Sequence, residues 1–597
     1  MFYWELNRWL HAPGSLRPLF SSLLFVLVLT SINCTDKSTA PSKSTSSVPD
    51  ERRYLGDSTD IIAAPSAGRA WWVDETDRSG IRFVYQNGRD GGHFTILESV
   101  GGGVALLDFD QDGDVDVFIP GGGRLSTCKP VEVTGLPAGL FSNQGDGKFT
   151  DVSNMVETIP RPRYSHGAFV ADYNRDGFPD VLVTGYQGCQ LLKNEQGKQL
   201  VDVTTFAKLD SPEWTTAAAW ADVDRDGWAD LMTIGYVQWN NEVDAFCGDT
   251  QTKTRDACPP QNYAATRQHL FRNNRDGTFS EIENAFGADA IGKGLGVVAA
   301  DLNDDGWVDF YVANDQVANQ LYLGGPTFPW HDSGVAAGVS GSEFGAPEGS
   351  MGVDAADYDG DGRPDLWVTN YELEDNSLYQ NRGQNQFSHA TVRAGLGGNG
   401  RPYVGFGTGF ADFDMDGWLD LFVINGHVLY STGRSAYLEP PILLHNVPAG
   451  TQRRFKDVSI EHGGPWFQKR IAGRGAAVGD LDNDGDLDLI VVRQNEPVSV
   501  LINQLQPADW VRLDLRGTTS DPDAIGAVVK AQIEGREIVR HIRSGSGYLS
   551  QFDQRILLPA KDAVDITVTW PTGKSERFSR LKPRATHRIQ EGTGESP

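Results

Sequence analysis

A nine-residue motif, D-x-[DN]-x-D-G-x-x-D, occurs seven times along the chain and constrains its fold more than any other feature. The copies, called loops 1 to 7, are DFDQDGDVD from Asp108, DYNRDGFPD from Asp172, DVDRDGWAD from Asp222, DLNDDGWVD from Asp301, DYDGDGRPD from Asp357, DFDMDGWLD from Asp412 and DLDNDGDLD from Asp480. Their first residues are separated by 50 to 79 residues. A repeat of that period predicts a propeller or a solenoid rather than a string of separate domains.

Each loop carries the donor set that binds Ca²⁺ in proteins. Oxygen ligands stand at positions 1, 3, 5 and 9 and a glycine at position 6, as in a shortened EF-hand loop. We therefore predict up to seven structural Ca²⁺ sites. Their ligands are Asp108, Asp110, Asp112 and Asp116; Asp172, Asn174, Asp176 and Asp180; Asp222, Asp224, Asp226 and Asp230; Asp301, Asn303, Asp305 and Asp309; Asp357, Asp359, Asp361 and Asp365; Asp412, Asp414, Asp416 and Asp420; and Asp480, Asp482, Asp484 and Asp488.

These loops account for much of the acidity of the chain. Of the 80 acidic residues, 26 occupy the four ligand positions, and the formal net charge is −28. Asn174 and Asn303 replace an aspartate at position 3, which lowers the ligand charge and predicts two weaker sites. Two alternatives stay open: the loops are solvated turns without an ion, or one Ca²⁺ polarises a substrate.

Apolar segments on both sides of each loop predict that the loop joins two antiparallel strands. Five residues before each loop stands a small residue: Gly103, Gly167, Ala217, Gly296, Gly352, Gly407 and Gly475. A strand face with almost no side chains, here called a bare face, predicts innermost strands that approach one another closely around an axis. A third strand ends in Asn, as in Leu140–Asn143, and a fourth starts at Phe, as in Phe149–Val152. Four strands per unit is the blade of a β-propeller.

The two ends of the repeat region complement each other. The last unit stops at Leu501–Asn503 without a fourth strand, whereas Trp71–Asp74 is a strand candidate that precedes loop 1. We predict that this N-terminal strand completes the last blade, because closure removes the exposed sheet edges of an open array. The predicted fold is all-β, with a seven-bladed propeller over 68–503 and a small β-rich domain over 504–591, followed by a tail, 592–597.

The N-terminus predicts export. Arg8 and Arg17 precede an apolar segment, Leu19–Leu29, which is too short for a membrane-spanning helix and leads to Cys34. We interpret 1–34 as a signal peptide that ends at a lipid-modified Cys34, with cleavage by the ordinary signal peptidase or a retained anchor as the alternatives. The Ser-, Thr- and Pro-rich segment 35–67 is interpreted as a flexible tether. The expected location is the periplasm or cell surface, with anchoring to the outer membrane and membrane contact only through the lipid.

The other four cysteines predict disulfides, since an exported chain with an even cysteine count favours them. Cys247 and Cys258 bracket one polar insertion, so a bridge between them is the first expectation. Cys128 and Cys189 lie at similar distances after loops 1 and 2, and a bridge between neighbouring units is the second expectation.

The motifs resemble FG-GAP/VCBS-type repeat propellers. The nearest resemblance is to the cartilage acidic protein-like family, in which an ASPIC/UnbV module follows the propeller, and the chain looks like an exported bacterial member. The segments of 504–591 that carry the resemblance are Ile525–Ala527, Gly545–Gln551 and Val568–Gly573. The resemblance implies the fold and calcium binding, but it implies no reaction.

No catalytic motif was recognised, so the main hypothesis is a non-enzymatic scaffold that binds a protein or a glycan through its propeller loops. The alternative is an enzyme or enzyme subunit that acts on polysaccharide from a site in the propeller funnel. His166 and His427 are expected to be structural, and Ser544–Gln551 to be a hairpin of the small domain. Trp228, Trp307 and Trp418, at position 7, either pack between blades or form a rim for sugars. Nucleic acid is not an expected partner of an exported acidic protein.

Overall fold

The computed structural model describes residues 69–597, except 129, 158–161, 241–244, 288–289, 431–434 and 506–508. The predicted signal peptide, Cys34 and the tether lie outside these residues. The described part consists mainly of strands. Its α-helices are single turns, Thr204–Ala207 and Gly334–Ala337, and its 3-10 helices are Arg89–Gly91, Ile96–Ser99, Ser153–Met155, Pro260–Asn262 and Trp466–Gln468. Among the described residues, no helix is long and apolar enough to cross a membrane.

Each loop belongs to its own antiparallel sheet, and the sheets are numbered by their loops. The strands, in order from the first to the last of each sheet, are Ala105–Leu107, Asp116–Ile119, Gly139–Asn143 and Phe149–Asp151 (sheet 1); Ser165–Ala171, Asp180–Gly185, Gly188–Asn194 and Leu200–Asp202 (sheet 2); Thr215–Ala221, Asp230–Gly235, His269–Asn273 and Phe279–Glu281 (sheet 3); Gly294–Ala300, Asp309–Asn314 and Gln320–Tyr322 (sheet 4); Val353–Ala356, Asp365–Val368, Ser377–Asn381 and Phe387–His389 (sheet 5); Gly405–Ala411, Asp420–Asn425, Ile442–Ala449 and Gln452–Asp457 (sheet 6); and Gly473–Gly479, Asp488–Arg493, Ser499–Asn503 and Trp72–Asp74 (sheet 7). The loop joins the first strand to the second in every sheet.

The first strands of the seven sheets form a closed ring, because each contacts the first strand of the next sheet and that of sheet 7 contacts that of sheet 1. This is the architecture of a β-propeller. Neighbouring sheets cover both faces of the inner strands, so every residue of Ser165–Ala171 and Asp180–Gly185 is buried. Sheet 4 has three strands in the described part of the chain, one fewer than the predicted four.

The N-terminal strand closes the ring. Trp72–Asp74 pairs with the third strand of sheet 7, with Trp72 opposite Asn503 and Asp74 opposite Leu501. The Trp72 side chain is 2% exposed and packs its ring against Phe413 and Phe467. Strands from the two ends of the propeller region therefore share one sheet.

The C-terminal module contains two further sheets. Trp510–Arg516 pairs with Ile556–Pro559 in antiparallel fashion and with Ala585–Gln590 in parallel. The second sheet has the order Arg536–His541, Val528–Ile533, Val564–Thr569 and Ser575–Leu581. The module continues beyond the predicted boundary at 591, because Arg577 and Glu595 exchange two backbone hydrogen bonds of 2.8 and 2.9 Å.

Three two-stranded sheets lie outside the seven large ones. They are Gly123–Leu125 with Val133–Gly135, Cys247–Asp249 with Thr254–Asp256, and Thr266–Arg267 with Ile291–Gly292. The last two fall within and beside the insertion after the second strand of sheet 3. Insertions therefore add hairpins to the ring and leave its sheets intact.

The segment Ser544–Gln551, here called the axial plug, leaves the module and fills the centre of the ring. Its backbone bridges those of the first strands at three points: Ser544 with Ala299, Gly547 with Val353, and Gln551 with Ala105. The expectation of a hairpin within the small domain is therefore wrong. The plug pairs with the propeller because the ring centre offers free backbone groups on its first strands.

The plug also explains the bare faces of the first strands. A Cβ atom at Gly103 would lie 1.8 Å from the Leu549 carbonyl oxygen, and one at Gly475 would lie 2.6 Å from Ser550 Oγ. The glycines therefore make space for a second chain segment at the axis, in addition to the close approach of neighbouring strands.

One predicted disulfide forms and the other does not. Cys247 and Cys258 are bonded and pin the insertion after the second strand of sheet 3. Cys128 is exposed, Cys189 is buried, and neither is in a disulfide. The prediction for this second pair is wrong because Cys189 lies in the third strand of sheet 2, where its thiol faces the Leu209 carbonyl, whereas Cys128 lies in a surface hairpin.

Candidate metal centres

The seven loops share one backbone conformation. The glycine at position 6 has a φ between 79° and 99° in all seven, and position 4 also lies in the left-handed region, with φ between 55° and 77°. This turn aims the position 6 N–H at the position 1 carboxylate, with N···O distances of 2.7 to 3.2 Å. The loops therefore present the same arrangement of predicted ligands seven times.

The aspartate at position 9 is the most deeply buried ligand. It begins the second strand, and one of its oxygens accepts a backbone N–H at the end of the third strand or just beyond it, at 2.7 or 2.8 Å in every sheet. In six sheets that N–H belongs to the asparagine that ends the third-strand motif, and in sheet 4 it belongs to Gly324. Hydrogen bonds thus fix position 9 before any ion binds.

The same asparagine links neighbouring sheets. Its side-chain amide donates to the carbonyl of position 2 in the preceding loop: Asn143 to Leu481, Asn194 to Phe109, Asn273 to Tyr173, Asn381 to Leu302, Asn446 to Tyr358 and Asn503 to Phe413, at 2.7 to 3.0 Å. The sequence marked these residues only as the end of a strand. The recurrence of an asparagine at the end of the third-strand motif was the available signal.

Buried carboxylate oxygens without a hydrogen-bond partner point into the loops. They include Asp108 Oδ1, Asp224 Oδ1, Asp359 Oδ1, Asp412 Oδ1, Asp414 Oδ1, Asp420 Oδ2, Asp480 Oδ1 and Asp482 Oδ1. Burial, together with the neighbouring carboxylates, raises the pKa of Asp172 to about 7 and that of Asp116 to about 8. Both observations fit a divalent cation, which would supply the missing partner and favour the charged carboxylates.

The loops differ in how closely their acidic groups converge. In five loops three side-chain donors lie within 4.8 Å of one another: Asp108, Asp110 and Asp116; Asp222, Asp224 and Asp230; Asp357, Asp359 and Asp361; Asp414, Asp416 and His445; and Asp480, Asp482 and Asp488. In loops 2 and 4, the amides of Asn174 and Asn303 instead donate to Asp180 and Asp305, both at 3.1 Å. His445 lies outside the motif and was missed by sequence reasoning.

The C-terminal module covers the loops. Arg512 contacts Asp480 in loop 7, and Arg540 Nη2 lies 3.6 Å from Asp412 Oδ2 in loop 6. Asp523 accepts the backbone N–H of Asp172 in loop 2 at 2.8 Å. The face that carries the predicted Ca²⁺ sites is therefore also the docking surface of the module.

The tryptophans at position 7 pack against arginines. The Arg225 guanidinium lies 3.8 Å from the centre of the Trp307 ring, and Arg175 lies 5.6 Å from that of Trp228. Both arginines occupy position 4 of the preceding loop. The Trp418 ring contacts Arg453 and Arg536 at 4.0 and 4.1 Å, so arginines cover these rings and the structure favours packing over a sugar rim.

The opposite face of the ring carries the disulfide-pinned insertion, because the second strand of each sheet runs away from the loop. Asp256 of this insertion accepts the backbone N–H of Tyr430, which lies between the second and third strands of sheet 6, at 3.1 Å. His166 lies beneath, fully buried, and accepts the Trp214 indole N–H at 2.8 Å. Burial lowers the pKa of His166 to about 3 and also lowers the pKa of the buried His427, so burial favours the neutral form of both rings.

Sequence comparison agrees with this architecture. Residues 108–183, 172–233, 262–312, 301–368 and 357–423 match the FG-GAP-like repeat, and residues 517–596 match ASPIC and UnbV. The chain is thus an all-β protein of FG-GAP-like repeats with a C-terminal ASPIC/UnbV domain, as the predicted propeller and the family resemblance imply.

Within that class the chain is similar to cartilage acidic protein 1. It is 27% identical to the Homo sapiens protein and 26% identical to the Mus musculus protein over 517 aligned positions, and the matches cover 74% of this chain and 74% and 76% of the two relatives. Among solved structures, BP39L lectin from Burkholderia pseudomallei aligns with a TM-score of 0.40 at 11% identity, over 68% of this chain and 96% of the lectin.

Proposed function

We propose that the chain is a calcium-braced, non-enzymatic scaffold that acts outside the cytoplasm. The observation that carries the proposal is the set of buried carboxylate oxygens without partners inside loops of uniform geometry. Extracellular calcium modules bind with dissociation constants of about 10⁻⁴ to 10⁻³ M, which suits an exported protein. The Cys34 lipid and the tether would hold the scaffold at the cell envelope.

The partner, a protein or a glycan, is proposed to bind the face opposite the loops. The C-terminal module covers the loop face, and the axial plug fills the centre where the alternative placed an active site. The opposite face instead presents the disulfide-pinned insertion, on which the Phe246 side chain is 49% exposed. Binding residues commonly lie on such loops above a rigid scaffold.

Calcium removal tests the bracing. At 10 mM Ca²⁺, a site with the affinity given above would stabilise the fold by about 1 to 3 kcal/mol. We expect the full chain to melt at least several degrees lower in EDTA than in Ca²⁺, and Asp357→Asn to lose part of that difference. Asp146→Asn, an exposed acid outside the loops, is the matched control. Equal melting temperatures with and without Ca²⁺ would refute calcium bracing.

Affinity capture tests the binding face. The full chain would be used to capture envelope proteins and glycans in Ca²⁺ and in EDTA. We expect Phe246→Ala to reduce recovery of a Ca²⁺-dependent partner, and Phe206→Ala to leave it unchanged. Phe206 is 63% exposed. Its ring lies near Gly277, and Gly277 is in a turn on the loop side of sheet 3. Equal recovery with both variants would contradict the proposed face.

A further inference from the structure

Loop 6 differs from the other loops in the side chain that stands beside its position 3 ligand. The residue before the third-strand asparagine reaches this ligand in several sheets: Arg272 Nε lies 2.9 Å from Asp224 Oδ2, and Gln380 donates to Asp359. In sheet 6 the corresponding residue is His445, whose Nε2 lies 3.4 Å from Asp414 Oδ2. Loop 6 therefore adds an imidazole nitrogen to its carboxylates.

The potential metal-ligand atoms of loop 6 lie close together. Asp414, Asp416 and His445 each offer a donor atom within 4.8 Å of the others. Asp412 and Asp420 are 2% and 1% exposed, and each has a buried carboxylate oxygen without a hydrogen-bond partner. These unpartnered oxygens are independent of the histidine, and they indicate that a cation completes the site.

The mixed donor set determines the class of cation. Ca²⁺ takes oxygen ligands, whereas imidazole suits first-row transition metals such as Zn²⁺. We propose that loop 6 binds a divalent transition metal, with Zn²⁺ as the representative ion, through its carboxylates and His445 Nε2. The inference rests on the proposed metal binding by the loops. It assigns a transition metal to loop 6 and leaves Ca²⁺ to the other six loops.

The surroundings of the site support this assignment. The edge of the Trp71 ring packs against the His445 ring with centroids 5.3 Å apart, and Trp71 is 4% exposed. Such packing restrains the imidazole and so lowers the entropic cost of binding. A groove of about 540 Å³ between loop 6 and the module is lined by Asp414 and Asp416 and gives an ion a path from solvent.

Zinc titration in the presence of calcium tests the proposal. The full chain would be saturated with 10 mM Ca²⁺ and titrated with Zn²⁺ by calorimetry, and Co²⁺ absorption would report nitrogen coordination. We expect one Zn²⁺ per chain to bind, with the affinity at least tenfold weaker in His445→Gln. His462→Gln is the matched control, because His462 stacks on the same Trp71 ring at 5.0 Å and should not change the affinity.

A variant that gains Zn²⁺ binding tests the inference independently, because misfolding cannot explain a gain of binding. Gln380→His places an imidazole beside Asp359 in loop 5, and we expect it to create a second Zn²⁺ site. Zn²⁺ affinity that is equal in the wild type and His445→Gln would overturn the inference, as would the absence of Zn²⁺ binding while Ca²⁺ still binds. A chain that binds neither ion would refute the proposed scaffold as well.

Discussion

At the residue scale, one asparagine in each of six sheets connects that sheet to the preceding loop while it holds a predicted metal ligand. Asn273 donates its backbone N–H to Asp230 at 2.7 Å and its amide to the Tyr173 carbonyl of the preceding loop at 2.8 Å. Because this side chain is 2% exposed, water cannot replace the lost bonds after truncation. The metal sites and the packing between sheets are therefore coupled through single side chains.

Asn273→Ala is predicted to destabilise the fold by about 1 to 3 kcal/mol, since it leaves buried carbonyls without a donor. Asn274→Ala is the matched control, because the exposed Asn274 side chain bonds only within its own hairpin, to Thr278 and Ser280. Urea unfolding in Ca²⁺ measures the free energy of unfolding of both variants. An equal loss of this free energy in the two variants would contradict the bridging role of Asn273.

Carboxyl titration gives a second prediction at this scale. In the metal-free protein, burial raises the pKa of Asp357 to about 6, of Asp172 to about 7 and of Asp116 to about 8, above the unfolded value of about 3.9. The folded state then binds more protons than the unfolded state, so metal-free stability should fall as the pH rises from about 4 to about 8.

Saturating Ca²⁺ should oppose that trend, because it binds the deprotonated carboxylates. Urea unfolding at several pH values, in EDTA and in Ca²⁺, measures the difference between the two curves. We expect the stabilisation by Ca²⁺ to increase across the window. Stabilisation by Ca²⁺ that is constant from about pH 5 to 8 would argue against ligation by these carboxylates.

At the element scale, the hairpin around each loop and the closing N-terminal strand were predictable, whereas the contacts of the plug and of His445 were not. The D-x-[DN]-x-D-G pattern and the flanking apolar segments marked the first and second strands, and Gly113 or Gly177 marked the turn. The plug was missed because Ser544, Gly547 and Gln551 pair with strands almost 200 residues or more away, and a local periodicity does not record such pairing. His445 was missed because it lies on the third strand, outside the motif.

Gly103→Ala tests the fit between the first strand of sheet 1 and the plug. The added Cβ would lie 1.8 Å from the Leu549 carbonyl oxygen, so backbone must shift, at a cost of about 1 to 3 kcal/mol or more. Gly325→Ala is the matched control, because no atom lies within 4 Å of its Cβ position. Calorimetric melting that is the same for both variants would show that the plug does not occupy this position.

At the scale of the whole molecule, closure depends on the N-terminal strand. A chain that lacks residues 1–77 loses Trp72–Asp74 and exposes the backbone edge of Ser499–Asn503. We predict that this chain melts earlier and associates, whereas a chain that lacks only residues 1–67 keeps the wild-type melting temperature. Calorimetry and size-exclusion chromatography measure both, and monomeric, equally stable chains in the two cases would contradict closure by this strand.

The position of the plug in the sequence has a consequence for biosynthesis. The ring cannot close before Asn503 is made, and its centre cannot fill before Gln551 is made. The earliest repeats must therefore wait, with their inner strands incompletely paired, until the C-terminal module supplies the plug. The plug thus decides when the earliest repeats finish folding.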